Sequence, residues 1–149
     1  MNGIKTPIII GSDHGGYSLK EDVKEYITVR GINMEDVGCY GEDSVDYPDY
    51  GIKVASGVAD GKFERGILLC GTGLGMSMVA NRFPHVRAAL CNDLFSAALS
   101  RQHNNANILV LGGRVIGKAL GVEIVKAWLD THFEGGRHQA RIDKFDKIE

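Results

Sequence analysis

The sequence predicts an α/β fold, a three-layer α/β/α sandwich with a five-stranded parallel Rossmann-like sheet and a C-terminal helical tail. Short apolar runs alternate along the chain with stretches whose apolar residues recur at helical spacing. The apolar runs are continuous rather than interrupted by polar residues, which is typical of parallel strands that helices cover on both faces. A chain of 149 residues is expected to form a single domain, spanning residues 1–149.

The first half of the chain contains two strand–helix pairs. They are predicted, in order, as a strand over 8–11, a helix over 18–30, a strand over 33–37, a polar loop over 38–48 and a helix over 50–60. The first helix is predicted because four apolar residues share one face, namely Leu19, Val23, Tyr26 and Ile27. Gly31 follows them and is expected to end the helix.

The second half continues the same alternation. Its elements are predicted as a strand over 67–70, a helix over 76–82, a strand over 86–91, a helix over 93–103, a strand over 108–111, a helix over 117–132 and a polar helical tail over 137–149. Asp93 has a side chain of the type that caps a helix N-terminus. Gly135 and Gly136 are expected to interrupt the chain before the tail.

Composition excludes several classes of function. A net charge of −2 gives no reason to expect a nucleic acid or an anionic membrane as partner. No segment approaches the roughly 18 apolar residues of a membrane span, and no stretch has a signal-peptide layout. The three cysteines, Cys39, Cys70 and Cys91, are odd in number and lack C-x-x-C spacing, so a disulfide framework or a structural zinc site is not expected. Reduced thiols fit a cytoplasmic location.

The third predicted strand ends on Cys70, and Gly71, Gly73 and Gly75 follow at every second position. A strand that leads into a glycine loop and a helix N-terminus leaves unpaired backbone N–H groups at one place. Such groups can hold an anion and favour the thiolate form of a cysteine beside them. The segment could therefore supply a base or nucleophile together with an oxyanion site. It matches neither the dinucleotide-binding fingerprint nor a P-loop.

Polar residues follow the ends of several predicted strands. In parallel sheets, ligands bind outside the carboxyl ends of the strands. Asp13 and His14 follow the first strand, and Arg114 follows the fifth. These side chains and the thiol are therefore expected to share one edge of the sheet. His103 and Asn104 follow the fourth helix and should lie away from that edge, unless a partner subunit or a curled loop brings them to it.

The tail carries Arg137 and Arg141 at positions i and i+4, which places both on one helix face. Two guanidinium groups that point the same way can clamp a phosphate, and His138 beside them could add a donor. Each of these features also has a purely structural alternative. The arginines could form a solvated face, Cys70 could be a small core residue, and His103 could cap a helix C-terminus.

Five motifs occur in order along the chain. They are SDHGG from residue 12, DYP from residue 46, CGTGLGMS from residue 70, SRQHN from residue 100 and EGGRHQAR from residue 134. Together they resemble the type B ribose-5-phosphate isomerases of the RpiB/LacAB sugar-phosphate isomerase family. The resemblance extends over about residues 8 to 141. Five ordered motifs at compatible spacing are much more specific than any one of them.

The resemblance implies an aldose–ketose isomerase of the pentose phosphate pathway. It would interconvert D-ribose 5-phosphate and D-ribulose 5-phosphate through an enediolate, without a metal or an organic cofactor. The catalytic residues it implies are Cys70 as base, His103 as the group that opens the sugar ring, and Thr72 in the anion-hole loop. The substrate-binding residues it implies are Asp13, His14, Gly71, Gly73, Gly75, Asn104, Arg114, Arg137, His138 and Arg141.

The resemblance also implies a homodimer with shared active sites, with a tetramer as the alternative, because the family builds its site at a dimer interface. One branch of the family uses a glutamate base, and Met76 occupies that position here, which indicates the cysteine branch. Three alternatives remain open: an isomerase for allose 6-phosphate or galactose 6-phosphate, a non-catalytic sugar-phosphate binding protein, and a cysteine-dependent phosphatase. The phosphatase would need an arginine in the loop after the cysteine, and the loop has none.

Overall fold

The computed structural model of the protein, which describes residues 3–148, is built on a five-stranded parallel sheet. The strands are β1 (Ile8–Ser12), β2 (Met34–Asp36), β3 (Gly66–Cys70), β4 (Ala88–Leu90) and β5 (Ile108–Gly112). Their spatial order is β2-β1-β3-β5-β4, and every neighbouring pair is parallel. The strands β1, β3 and β5 are buried along their full length, as their continuous apolar sequences predict.

Six helices cover the sheet. They are α1 (Tyr17–Val29), α2 (Tyr47–Ala59), α3 (Leu74–Ala80), α4 (Leu94–Gln102), α5 (Lys118–Asp130) and α6 (Arg137–Phe145). One core contains the apolar faces of α1, α4 and α5, and the other contains those of α2 and α3. The predicted three-layer α/β/α sandwich with a parallel sheet is therefore confirmed. Within residues 3–148, no helix has the length and apolar character needed to cross a membrane.

Several element boundaries differ from the predicted ones. The helix α2 begins three residues earlier than predicted because Pro48 sits in its first turn, where a backbone N–H would have no helical partner in any case. The helix α3 also begins earlier, directly after Gly73, whose φ of +81° suits glycine. Strand β4 is only three residues long. The helix α6 ends at residue 145, and residue 149 of the predicted tail lies outside the described part.

The helices that were predicted from apolar periodicity pack as expected. Leu19, Val23 and Ile27 of α1 are buried, and Tyr26 on the same face is partly buried against the core. Asp93 caps α4, since its carboxylate accepts the backbone N–H of Ser96 at 2.7 Å. These elements hold the carboxyl ends of β1, β3 and β5 next to one another, and the loops that follow these ends form the surface described next.

Candidate active site

The loops after β1, β3 and β5 are joined by backbone hydrogen bonds into one surface, here called the carboxyl rim. Asp13 donates its N–H to the carbonyl of Leu69 at 3.2 Å. Gly113 donates to the carbonyl of Cys70 at 2.8 Å, and Arg114 donates to that of Gly71 at 2.9 Å. The three strand ends therefore meet at one edge, as the rule for parallel sheets predicts.

Cys70 ends β3 with its sulfur turned toward its own loop. The N–H of Gly73 donates to Sγ at 3.1 Å, and the residue is only 5% exposed. This hydrogen bond fixes the sulfur at the start of the glycine loop. The hydroxyl of Thr72 accepts the N–H of Leu74 at 3.2 Å and so holds the start of α3. The thiol therefore lies at the edge of the core, against the glycine loop.

Two glycines let the loops of the rim approach each other. A Cβ on Gly15 would lie 3.1 Å from the backbone of Gly71, and a Cβ on Gly16 would lie 2.6 Å from the carbonyl carbon of Leu69. The second distance is shorter than real Cβ contacts allow. Because Leu69 belongs to a central strand, its backbone cannot move aside at low cost.

We expect Gly16→Ala to destabilise the protein by about 2–3 kcal/mol, as overpacking at a buried site does. The position of the Cys70 thiol should change with it, because the displaced strand carries that residue. Urea unfolding measures the free energy change. Gly41→Ala is the matched control, since a Cβ there meets no atom within 4 Å. Equal stability of the two variants would show that the rim tolerates a wider separation of its loops.

Asp13 and His14 follow β1 and face the rim. The Asp13 carboxylate accepts the N–H of Gly16 at 3.1 Å and is almost fully buried. His14 accepts the N–H of Val45 on Nδ1 at 3.2 Å. An imidazole that accepts on Nδ1 carries its proton on Nε2. His14 therefore has an N–H left to donate to an anion.

Arg114 and Tyr47 enclose the glycine loop from two sides. A Cβ on Gly71 would lie 3.5 Å from Nη1 of Arg114, which places the guanidinium beside the proposed anion hole. The ring of Tyr47 lies so close to Gly75 that a Cβ there would come within 2.6 Å of it. Tyr47 is a residue of this surface that the sequence did not indicate. Its place within the DYP motif was the signal that could have done so.

A second cluster forms where α4 ends. The rings of His103 and His138 are stacked, with centroids 4.1 Å apart and planes 11° from parallel. Nε2 of His138 lies 3.5 Å from a carboxylate oxygen of Glu134, whose N–H donates to the carbonyl of Gln102. Burial and the charges of His103 and Arg137 lower the pKa of His138. His138 is buried, whereas Arg137 on the same helix is exposed.

The donor atoms of His103, Glu134 and His138 lie within 4.8 Å of one another, a spacing that a metal ion could use. The ring orientation argues against it. A metal ion must lie in the plane of each imidazole that binds it, along the nitrogen lone pair. Two rings that are stacked and almost parallel cannot both direct a lone pair at one ion. As arranged, the cluster is a stacked histidine pair beside a carboxylate.

The predicted site residues thus fall into two groups within one chain. The first group, at the carboxyl rim, contains Asp13, His14, Cys70, Gly71, Thr72, Gly73, Gly75 and Arg114. The second group, at the end of α4 and on α6, contains His103, Asn104, Arg137, His138 and Arg141. The nine residues of α4 extend about 13 Å from the rim side of β4 toward the edge where the strands begin. The topology had indicated this separation.

The other two cysteines have different environments. Burial raises the pKa of the Cys91 thiol to about 11, so this thiol remains protonated at neutral pH. Cys39 was predicted in a polar loop, yet it is buried, and its Sγ donates to the carbonyl of Gly41 at 3.3 Å. Among residues 3–148, no backbone N–H donates to the sulfur of Cys39 or Cys91 in the way that Gly73 donates to that of Cys70.

Comparison with known sequences supports the motif analysis. A sequence model of the Ribose/Galactose Isomerase family matches residues 8–145. Ribose-5-phosphate isomerase B of Escherichia coli is 45% identical over 142 residues, which is 95% of each chain. D-erythrulose-4-phosphate isomerase of Pectobacterium atrosepticum is 43% identical over 144 residues, covering 95% of this chain and 94% of the other. Proteins similar to this chain therefore act on more than one sugar phosphate.

Comparison with solved structures agrees. The crystal structure of ribose-5-phosphate isomerase B from Mycoplasma genitalium, with bound ribulose-5-phosphate, has a TM-score of 0.92 and 42% sequence identity. The match covers 97% of this chain and 96% of the other. Fold and sequence are thus similar along nearly the whole length of both chains.

Proposed function

The chain belongs to the ribose/galactose isomerase family of aldose–ketose isomerases, and we propose that its reaction interconverts D-ribose 5-phosphate and D-ribulose 5-phosphate. The observation that carries the proposal is the Cys70 thiol, which receives the Gly73 N–H at a rim that also presents His14 and Arg114. A base, an oxyanion site and cationic groups for a phosphate are what the isomerisation of a sugar phosphate requires. The proposal places the enzyme in the cytoplasm, in the pentose phosphate pathway, without a metal or an organic cofactor.

The first step of the proposed reaction is ring opening. Ribose 5-phosphate is mostly a closed ring, and opening it requires a proton to move from the C1 hydroxyl while the ring oxygen gains one. An imidazole suits this exchange because its ordinary pKa lies near neutrality. We assign this role to His103, with Asn104 beside it. Within one chain, His103 follows the end of α4 that lies away from the carboxyl rim and Cys70. We therefore assign the acting His103 to a second subunit.

The second step is proton transfer between C2 and C1. The Cys70 thiolate removes the C2 proton, and the electron pair of the C–H bond forms the enediolate. Backbone N–H groups of the loop from Gly71 to Gly75, with Thr72 among them, hold the charge that develops on oxygen. The thiol then returns this proton to C1 while the proton of the C2 hydroxyl moves to O1, which leaves the carbonyl at C2 and yields the ketose. The same group serves as base and acid, so no redox cofactor is needed.

The proposed phosphate site joins the two groups of residues. His14 and Arg114 approach from the rim of one subunit. Arg137 and Arg141 lie at i and i+4 on α6, both exposed, and would come from the second subunit together with the His103–His138 pair. Asp13 contacts the sugar. A homodimer with two shared sites is the assembly that this arrangement requires, and a tetramer could be formed from two such dimers.

We expect Arg137→Ala to raise KM for ribose 5-phosphate about ten- to a hundredfold, because charge-assisted hydrogen bonds to the phosphate are lost. The change in kcat should be much smaller. Steady-state kinetics at constant ionic strength measures both constants. Lys144→Ala, which removes an exposed positive charge from the last turn of the same helix, is the matched control. An unchanged KM in Arg137→Ala would place the phosphate elsewhere.

The proposed substrate has a specific alternative. The similar protein from Pectobacterium is an isomerase of D-erythrulose 4-phosphate, a four-carbon ketose phosphate. The experiment compares kcat/KM for ribose 5-phosphate, allose 6-phosphate, galactose 6-phosphate and erythrulose 4-phosphate on the purified protein in EDTA. The proposal expects ribose 5-phosphate to have the highest value. A higher value for another sugar would assign the enzyme to that substrate, and binding without any turnover would indicate a sugar-phosphate binding protein.

A further inference from the structure

A second group of basic side chains lies at the edge of the sheet where the strands begin, opposite the carboxyl rim. Arg65 immediately precedes β3, and Arg87 immediately precedes β4. Arg101 reaches the same place from the last turn of α4. These three arginines line a cavity of about 510 Å³, here called the arginine pocket. None of its residues belongs to the proposed isomerase site.

Two of these arginines are buried without complete hydrogen bonding. The residues Arg65 and Arg101 are 9% and 5% exposed. Nη1 of Arg65 and Nε of Arg101 have no hydrogen-bond partner within residues 3–148. A buried donor without a partner is costly, and most native structures avoid it. Both atoms belong to side chains that line the arginine pocket, so a ligand there could satisfy them.

The guanidinium of Arg101 is held in place by the chain around it. Its Nη1 donates to the carbonyl of Ala106 at 2.6 Å and to Oδ1 of Asn105 at 2.9 Å. Arg87 is fixed in a similar way, since its Nε donates to the carbonyl of Asn105 at 3.0 Å. Donors that are fixed before binding lose little entropy when a ligand arrives.

Within residues 3–148, carboxylates lie near the pocket but do not pair directly with its two buried arginines. Asp146 pairs with Arg87 at 3.0 Å, but in the described part of the chain neither Arg65 nor Arg101 has a carboxylate oxygen within 4 Å. Glu64 also lines the pocket and its charge acts on Arg65, but its carboxylate accepts the backbone N–H of Lys5. Burial and, to a smaller extent, the charges of Arg65 and Arg87 together lower the pKa of Arg101 to about 9. In the described part of the chain, the two buried arginines therefore lie close to like charges without a direct carboxylate partner.

We propose that the arginine pocket binds a small oxyanion, a phosphate or carboxylate group, at a site separate from the substrate site. A guanidinium group can donate two parallel N–H groups to two oxygens of a phosphate or of a carboxylate. Here the arginines supply at least two unused N–H donors. The anion would offset the charge repulsion and satisfy the buried donors at once. The cavity volume has room for a group larger than a bare inorganic ion. The inference does not depend on which sugar phosphate the isomerase converts.

Trp128 gives a direct signal for this site. It is the single tryptophan of the chain, it is fully buried, and the guanidinium of Arg65 lies 5.1 Å from its ring. An anion that binds the guanidinium of Arg65 will change the electric field at the indole ring of Trp128, and therefore the fluorescence of that ring.

The experiment titrates inorganic phosphate, and in a second arm citrate, against chloride at constant ionic strength. It follows tryptophan emission and the thermal midpoint of the Arg137→Ala/Arg141→Ala protein, whose proposed phosphate clamp is removed. We expect a saturable fluorescence change with at least one of the two anions. The thermal midpoint should rise about 3–5 °C when that anion is at ten times its dissociation constant. The arm that saturates at the lower concentration identifies the preferred oxyanion.

In the same background, Arg65→Gln should abolish the saturable response, and Arg65→Lys should retain it at higher anion concentration. Lys126→Gln removes one exposed positive charge elsewhere and is the matched control, with a response equal to that of the parent. Arg65→Gln in the otherwise natural chain should keep isomerase activity, so failure of this site and failure of the isomerase assignment are distinguishable. A response in Arg65→Gln equal to that of the parent, or no saturable response to either anion in the parent, would overturn the proposal.

Discussion

Replacing Cys70 with alanine is expected to lower isomerase turnover about a thousandfold or more, while leaving phosphate binding intact. The reason is that the variant removes the only group on the carboxyl rim that we assign to carry the proton between C2 and C1. The Gly73 N–H that now donates to the sulfur remains in place, as do His14 and Arg114. Binding and catalysis should therefore separate cleanly.

The measurement pairs turnover of ribose 5-phosphate with the affinity for a phosphate-bearing ligand by calorimetry. Cys91→Ala is the matched control, because that thiol is also buried at the end of a strand but remains protonated at neutral pH. The control should keep turnover near that of the parent. If Cys70→Ala turned over substrate normally, the assignment of the base would be wrong. If it lost ligand binding as well, the residue would be structural.

Two inactive variants are expected to restore activity when they share a dimer. In a heterodimer of Cys70→Ala and His103→Ala, one of the two shared sites contains both natural side chains. We therefore expect about half of the parent activity per heterodimer, from two proteins that are each inactive alone. This follows from the position of His103 after α4, away from the rim that holds Cys70.

Two different affinity tags on the co-expressed chains allow the heterodimer to be purified from the homodimers. The control is a heterodimer in which one chain carries both Cys70→Ala and His103→Ala and the other chain is unchanged. Sites shared between subunits leave this control inactive, because each site lacks one group. If each site were contained within one chain, the control would be active and the heterodimer of the two single variants would be inactive. That result would exclude the shared site.

The fold was predictable because its signals are local. Continuous apolar runs predicted β1, β3 and β5, and the buried face of α1 followed from the spacing of Leu19, Val23 and Ile27. Boundaries were less accurate where one backbone feature decides them. Pro48 starts α2 earlier than its apolar pattern suggests, and Gly73 does the same for α3.

The candidate site was predictable only in part, because its contacts join distant segments. The rule for strand ends brought Asp13, Cys70 and Arg114 to one rim. No sequence pattern indicated that the ring of His138 stacks on that of His103, since they come from the ends of two different helices. The arginine pocket was missed for the same reason.

Direct NMR of ribose 5-phosphate incubated with the purified protein in EDTA tests the central claim most directly. The account predicts that signals of ribulose 5-phosphate grow until the two sugars reach equilibrium, at the same rate with and without EDTA. A spectrum that stays that of ribose 5-phosphate, while an authentic isomerase converts it in a parallel tube, would contradict the account.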